Sequence, residues 1–444
     1  MSGHINGSNP RKIALQVLCR AEAREVHADL SLDHALRQNP LPDRDRRLAT
    51  ELVYGVLRRR NTLDWMVKHF SNRDPSRTDT VVRNILRLGA YQLMFLDRIP
   101  PWAAVHESVE LAKSAGPGGS DRFVNGVLRS LERHKSEITY PPFSDSPISH
   151  ISLFYSHPEW MVKRWMERYG PQETIHLCEA NNCQPPIPIR ANRLKTDRET
   201  LSAALRKEGA GTSPSKIAPD GLTIESEKHI DEFTSYREGM FYVQDEASML
   251  ASYILDPKPG EVVLDLCSAP GGKATHIAEL MGNRGKVIAL DVKEGRLKLV
   301  NHNCLRLGIN IVETRHLDGR RAGRIDADRV IVDAPCSNLG TIRHHPDVKW
   351  NSSPDEIPLL ARLQEELLAG GARNLRVGGI MVYSTCTIEP EENESVVGDF
   401  LREHANFSLE AIEFGNLQSD GMLNLYPHRH GTDGFFIARL RRLR

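Results

Sequence analysis

No apolar run in the 444-residue sequence approaches the roughly 20 residues needed to cross a bilayer. The opening stretch, Met1 to Pro10, is polar and lacks the apolar centre of a secretion signal. A soluble, cytoplasmic protein with no membrane association is therefore expected. Net charge is also missing: 58 Lys and Arg balance 58 Asp and Glu. That excludes a polycation coating nucleic acid wholesale, but not a basic face on one domain. Aromatic residues make up only 6 %, so aliphatic side chains must fill the cores. The seven cysteines are odd in number, scattered, and contain no C-x-x-C pair. A disulfide framework and a zinc site are both disfavoured, and no metal is expected. Reduced thiols remain, either buried hydrophobes or reactive groups. Internal repeats and low-complexity tracts are absent.

What is present divides the chain into three. Residues 9–140 read as all helical. Ile13, Ala14, Val17, Leu18 and Ala21 lie on one helical stripe, Leu48, Leu52, Val53 and Val56 on another, and Val82, Ile85, Leu86 and Gly89 on a third. A Pro/Ser-rich stretch, Tyr140 to Ser149, reads as a linker. Residues 150–240 mix patterns and are expected to form a small α+β domain, with a helix from Glu159 to Tyr169, a strand at Pro188 to Asn192 and a helix at Thr200 to Lys207. Residues 241–444 alternate apolar strands (Val262 to Asp265, Val287 to Asp291, Arg329 to Asp333, Gly379 to Tyr383) with helical segments. Such alternation predicts a doubly wound, mostly parallel α/β sheet. Asp433 to Ala438 reads as a final strand. Two basic clusters, Arg58 to Arg60 and Arg315, Arg320, Arg321 and Arg324, are equally readable as solvated surface or RNA contacts.

Ligands on such sheets sit at the carboxyl ends of the strands, where Asp265, Asp291 and Asp333 all fall. The first strand runs into Cys267-Ser268-Ala269-Pro270-Gly271-Gly272-Lys273, a turn of small residues that opens a helix. It matches neither G-x-G-x-x-G nor G-x-x-x-x-G-K-[ST], so a dinucleotide or a P-loop nucleotide is disfavoured. A nucleoside with a zwitterionic tail fits better, with Asp291 placed for ribose hydroxyls. Asp318, in His316 to Gly319, either meets a base edge or caps a turn.

Two cysteines stand just past strand ends, Cys336 in Asp333-Ala334-Pro335-Cys336-Ser337 and Cys386 in Ser384-Thr385-Cys386-Thr387. A lone cysteine is more often a buried hydrophobe, the reading that suits Cys19, Cys178, Cys183, Cys267 and Cys304. Two at the ligand rim of one sheet point to chemistry instead. A thiolate that adds to C6 of a cytosine makes C5 nucleophilic enough to take a methyl group. Asp333 is placed to meet the base's polar edge, and Lys273 to lower a thiol pKa or touch the base. Arg343 to Pro346 reads as a polar loop or a phosphate contact, and Asn393 and Glu394 as a helix start or as supports of the Cys386 loop.

The stretches DLCSAPGGK, DAPCSNLG with IRHHPDVKW, and STCTIEPEEN resemble the RNA 5-methylcytosine methyltransferases of the NOL1/NOP2/Sun group. DRDRRLATELVYGVLRR, ILRLGAYQLMFLDRIP and RFVNGVLR resemble a NusB-like RNA-binding domain. The resemblance spans nearly the whole chain. It implies a Rossmann-like S-adenosyl-L-methionine-dependent methyltransferase domain, an RRM-like middle domain and a monomer. Its substrate would be RNA, namely cytosine 967 (rRNA numbering) of small-subunit rRNA; tRNA, large-subunit rRNA and a non-catalytic ribosome-assembly role are the alternatives. It also implies Cys386 as nucleophile and Cys336 in product release. Cys267 to Lys273, Asp291, Asp318 and Asp333 would line the cofactor and target-base site. Asn338, Thr387 and Ser268 stand where the family usually has glycine, serine and alanine.

Overall fold

The computed structural model describes residues 9–24, 27–71 and 73–444. The polar N-terminal stretch therefore lies, as far as Ser8, outside the described residues. The chain forms two compact units, one running to Cys183 and including Ile342–Asn351, the other made of Gln184–Thr341 and Ser352–Arg444.

The first unit is helical: α1 (Pro10–Glu22), α2 (Ala28–Gln38), α3 (Asp43–Ser71), α4 (Thr80–Phe95), α5 (Pro101–Ala115), α6 (Ser120–His134), α7 (Pro147–Phe154) and α8 (Glu159–Asn182). Local signals set the starts. Asn9 accepts from Arg11 N with Pro10 in the first turn, and Asp79 accepts from the amides of Val81 and Val82. The stripes of α1, α3 and α4 merge into one aliphatic core. The expected linker is shorter than the sequence suggests, because Pro147 starts α7 at a position where its missing N–H costs nothing. The helix expected to end at Tyr169 does break there: Gly170 (φ 78°, ψ 171°) precedes Pro171, and the chain then turns helical again to Asn182. Arg58, Arg59 and Arg60 are not a solvated cluster; they lie over the rings of Tyr54, Phe95 and Trp350.

The segment Ile342–Asn351 carries most of the IRHHPDVKW stretch, and it packs within this helical unit. Lys349 is fully buried; its Nζ donates to Arg58 O (2.9 Å), Ser156 O (2.8 Å) and Asn182 Oδ1 (3.1 Å). Burial holds its amine well below the usual lysine range. Trp350 Nε1 donates to Leu57 O at 2.7 Å. Arg343 is buried and His345 lies 3.7 Å from Asp29, so this is an anchored segment and not a free polar loop.

The second unit begins with a four-stranded antiparallel sheet of β1 (Ile187–Ala191), β2 (Gly211–Pro214), β3 (Gly221–Glu225) and β4 (Phe241–Val243), in the order β4-β1-β3-β2. Helix α9 (Arg198–Lys207), capped by Asp197, buries Leu201 and Leu205 with this sheet. There follow α10 (Thr234–Arg237), α11 (Glu246–Leu255), β5 (Val262–Asp265), α12 (Gly272–Leu280), β6 (Lys286–Asp291), α13 (Glu294–Leu307), β7 (Val312–His316), β8 (Ala327–Asp333), α14 (Val348–Asn351, in the helical unit), α15 (Ile357–Asn374), β9 (Leu375–Thr385), α16 (Glu394–Glu403), β10 (Phe407–Leu409), the β11–β12 hairpin (Ile412–Phe414, Leu417–Ser419), β13 (Met422–Leu425) and β14 (Phe435–Arg442). The main sheet runs β10-β14-β9-β8-β5-β6-β7, with β13 also on β14. Strands β7, β6, β5, β8 and β9 are parallel, while β14 returns antiparallel against β9 and carries β10 and β13. The sheet is thus mixed: its parallel half matches the expected alternation, and its C-terminal edge is antiparallel. The chain leaves β5 toward β6 and β7, then crosses to β8 and β9. That crossing makes a topological switch point at the carboxyl ends of β5 and β8.

A fully buried ion pair joins the small sheet to helix α12, which follows β5 of the large one. Arg190 of β1 donates to Glu279 of α12 (2.7 Å), to Gln244, and to Gly272 O (2.9 Å) at the start of that helix. Among the described residues, no helix is long and apolar enough to cross a membrane.

Candidate active site

Strands β8 and β9 are paired in parallel as far as Asp333 and Ser384, so the loops that follow leave the sheet side by side. This brings Cys336 Sγ to 3.2 Å from Cys386 Sγ. The two loops are stitched together: Ser337 Oγ and Thr387 Oγ1 are 2.8 Å apart, Gly340 N donates to Cys386 O (3.0 Å), and Gly434 N donates to Gly340 O (2.8 Å). Gly340 permits no side chain, since a Cβ there would lie 1.9 Å from Gly434 O. Glu392 accepts twice from Ser337 N (2.9 and 3.0 Å), and burial pushes its carboxyl up to about 7. Asn393 ties down the other loop, with its Oδ1 2.5 Å from Thr385 Oγ1 and its Nδ2 donating to Thr387 O (3.1 Å). Of the two readings for Asn393 and Glu394, loop support describes Asn393, while Glu394 accepts from Asn424 instead. The hydrogen bond with Cys386, followed by burial, raises the Cys336 thiol well above the ordinary cysteine range.

Asp333 points into the same space. Its Oδ1 accepts from Ser384 Oγ (2.9 Å), and its Oδ2 pairs with Lys273 Nζ (2.7 Å), which also donates to Ser248 Oγ (2.9 Å). Lys273 therefore serves the carboxylate rather than either thiol, as the sequence alone had allowed. A cavity of about 570 Å³ runs from the cysteines to the β5 turn, lined among others by Cys336, Cys386, Asp333, Asn338, Pro270 and Asp291. Cys267, Ala269 and Asp318 also line it, while Ser268, Gly271, Gly272 and Lys273 do not. The two glycines serve packing: a Cβ on Gly271 (φ 103°) would lie 3.2 Å from Val300, and one on Gly272 3.3 Å from the Tyr242 ring. Asp291 is fixed by Lys293 N (2.8 Å) and Ala269 N (3.3 Å). Asp318 caps the turn before Gly319 and pairs with Arg320, which holds it below the usual carboxylate range, yet it still faces the cavity.

Sequence reasoning missed Val292, Arg296, Leu363 and Leu367 as cavity residues, and it missed Asn338 as a partner of the sulfurs. An apolar residue directly after a strand-end acid was the available signal for Val292, which is 57 % exposed. Nothing local marks Leu363 and Leu367, whose helical spacing reads as plain core. Among the cysteines read as structural, Cys178 and Cys304 are buried, whereas Cys183 is exposed. The donor set suits a nucleoside carrying a charged tail: an acid fixed by amides (Asp291), an exposed apolar face (Val292, Pro270), and a second acid (Asp318) across the cavity.

Comparison with known proteins agrees with this layout. Residues 252–441 match the model of the 16S rRNA methyltransferase RsmB/F family. The chain is 39 % identical to the Bacillus subtilis protein named "Probable ribosomal RNA small subunit methyltransferase B", covering 97 % of this chain and 98 % of that one. It is 37 % identical to the ribosomal RNA small subunit methyltransferase B of Pectobacterium carotovorum, again over 97 % and 98 %. The chain belongs to the RsmB/F methyltransferase family. Residues 8–133 match the NusB family, and residues 157–231 match the ferredoxin-like domain found in RsmF/B-like proteins. The family architecture is thus a NusB helical domain, a ferredoxin-like domain and a mixed-sheet methyltransferase domain. The crystal structure of a methyltransferase homologue from Pyrococcus horikoshii, 32 % identical, superposes with a TM-score of 0.60 over 67 % of this chain and 99 % of that one. Another solved structure, 30 % identical, superposes with a TM-score of 0.84 over 98 % and 99 %.

Proposed function

We propose that this enzyme methylates C5 of a cytosine in small-subunit rRNA, at cytosine 967, through a covalent bond between Cys386 and C6 of the base, with S-adenosyl-L-methionine as methyl donor. The observation that carries this reading is the pair of thiols 3.2 Å apart just past the carboxyl ends of the adjacent strands β8 and β9 of a methyltransferase sheet, in one cavity with Asp333. A methyl transfer to an exocyclic oxygen or nitrogen needs no such pair.

Each residue then has a task. Cys386, once deprotonated, forms the S–C6 bond and shifts electron density to C5. Asp333, paired with Lys273 at 2.7 Å, accepts from the base's amino group and orients the ring. Asp291 meets the ribose hydroxyls of the donor, Asp318 its base edge, and Val292 and Pro270 its apolar face. The bound donor supplies an electrophilic methyl group to C5. Cys336, after passing its own proton to solvent, takes H5 as a thiolate and returns to the thiol. The electrons of the C5–H bond restore the ring double bond as the S–C6 bond breaks and Cys386 leaves. The target cytosine must be unstacked to reach the cavity.

The test is methyl transfer from labelled donor to protein-free small-subunit rRNA, mapped by base. Label on C5 of cytosine 967 is expected with the wild type and no label with Cys386→Ala. Cys336→Ala is expected to accumulate a protein–RNA adduct that survives denaturing electrophoresis. Label only on tRNA or large-subunit rRNA would discard the substrate and keep the chemistry. Donor binding without transfer to any RNA would leave the assembly-factor reading standing.

A further inference from the structure

Asn338 is a non-glycine residue in left-handed backbone conformation, with φ 60°. Asparagine is among the few residues that tolerate this region. The turn that holds it there is closed by its own carbonyl, which accepts from Thr341 N (2.9 Å) and Thr341 Oγ1 (2.9 Å). Two residues on, Gly340 N is bonded to Cys386 O, so the turn is anchored to the strand end that carries the second cysteine. With its backbone fixed at both points, the Asn338 side chain reaches the sulfur pair. Its Oδ1 accepts from Cys386 Sγ at 2.9 Å and lies 3.8 Å from Cys336 Sγ.

We propose that Asn338 is the positioning residue of the thiol pair: its carboxamide oxygen accepts the Cys386 hydrogen and holds that sulfur in place on the cavity wall. This rests on the reading of Cys386 as nucleophile, but it concerns the resting enzyme and is measurable without RNA. An acceptor bonded to a neutral thiol favours the thiol over the thiolate. The other ionisable groups around the sulfurs are Cys336 itself, Asp333 with its partner Lys273, Glu392 at Ser337 N, and the buried Tyr383 of β9, whose hydroxyl donates to Glu392 O. None of them donates to or accepts from Cys386 except Cys336, so the Asn338 oxygen is the neutral group that biases the pair.

The experiment follows alkylation of Cys386 by iodoacetamide as a function of pH in the full chain, resolved by mass spectrometry of the Cys386 peptide. Asn338→Gly keeps the backbone conformation and removes the acceptor. Its alkylation profile is expected to move to lower pH by about half to one pH unit, the equivalent of one lost hydrogen bond. Asn338→Asp keeps both the conformation and the contact but places a negative charge against the sulfur; its profile is expected to move to higher pH. The circular dichroism spectrum and the thermal melt should be unchanged in both variants, showing that the fold persists. A profile in Asn338→Gly that stays in place or moves upward overturns the proposal, as does an Asn338→Asp profile that fails to rise. A failure of methyl transfer in the wild type would instead discredit the reading of the reaction and leave this result interpretable.

Discussion

Asp265 ends β5 fully buried, and its Oδ2 has no hydrogen-bond partner. Burial first, and the neighbouring Asp333 second, push its carboxyl from the ordinary 3.8 up to about 7. The folded protein therefore binds this proton more tightly than the unfolded chain does. Stability from this group is fully present below the unfolded pKa and is lost as pH rises through about 7. At about 1.4 kcal/mol per tenfold change in proton affinity, the full loss is on the order of 4 kcal/mol. Replacing Asp265 with Asn removes the titration and so flattens this part of the pH dependence. Between about pH 5 and pH 8 the stability difference between Asp265→Asn and wild type should change by about 2–3 kcal/mol in favour of the variant. Hydrogen exchange of the β5 and β9 amides, corrected for intrinsic rates, measures this in the unit that holds Asp265. Tryptophan fluorescence does not, because all five tryptophans lie in the helical unit. If variant and wild type show the same pH dependence, Asp265 is not the buried acid described here.

Gly340→Ala forces the Cys336 and Cys386 loops apart and should lower methyl transfer about a hundredfold, as misplacements near 1 Å do, with donor affinity unchanged by calorimetry. Arg190→Met strands Glu279 in the core and should destabilise α12 by about 3–5 kcal/mol in hydrogen exchange, while the double change with Glu279→Leu recovers most of the loss. Lys349→Ala leaves three oxygens without their donor and should cost the helical unit about 2–4 kcal/mol in denaturant melts followed by tryptophan fluorescence; Lys349→Met, which keeps the volume, should cost less.

Much of the architecture was legible because it is locally encoded. The aliphatic stripes of α1, α3 and α4, the caps at Asn9 and Asp79, and the strand-end acids all report on their own neighbourhoods. The antiparallel edge was not, because direction in a sheet is decided by which strand the chain returns beside, and Phe435 to Arg442 reads the same either way. At the site, the two cysteines and Asp333 could be named from their places after strands. The role of Lys273 could not: its partner Asp333 is far along the chain, and only the fold shows that the carboxylate, not a thiol, receives it. Gly271 and Gly272 show a related ambiguity, since small size near a ligand and small size against packed neighbours leave the same trace in a sequence. The Arg58 to Arg60 run likewise gave no hint that each guanidinium has a ring beneath it.

The polypeptide passes between the two units three times, after Cys183, after Thr341 and after Asn351. A single protease nick at any one of these crossings leaves the halves still joined through the others. Cutting at the first crossing to isolate a catalytic fragment, residues 184–444, does not yield a self-sufficient piece. The fragment would carry Lys349 and Trp350 away from every oxygen they bond, leaving a greasy, basic tongue of about ten residues in water. Expression of that fragment should be poor unless the tongue is replaced by a short polar bridge.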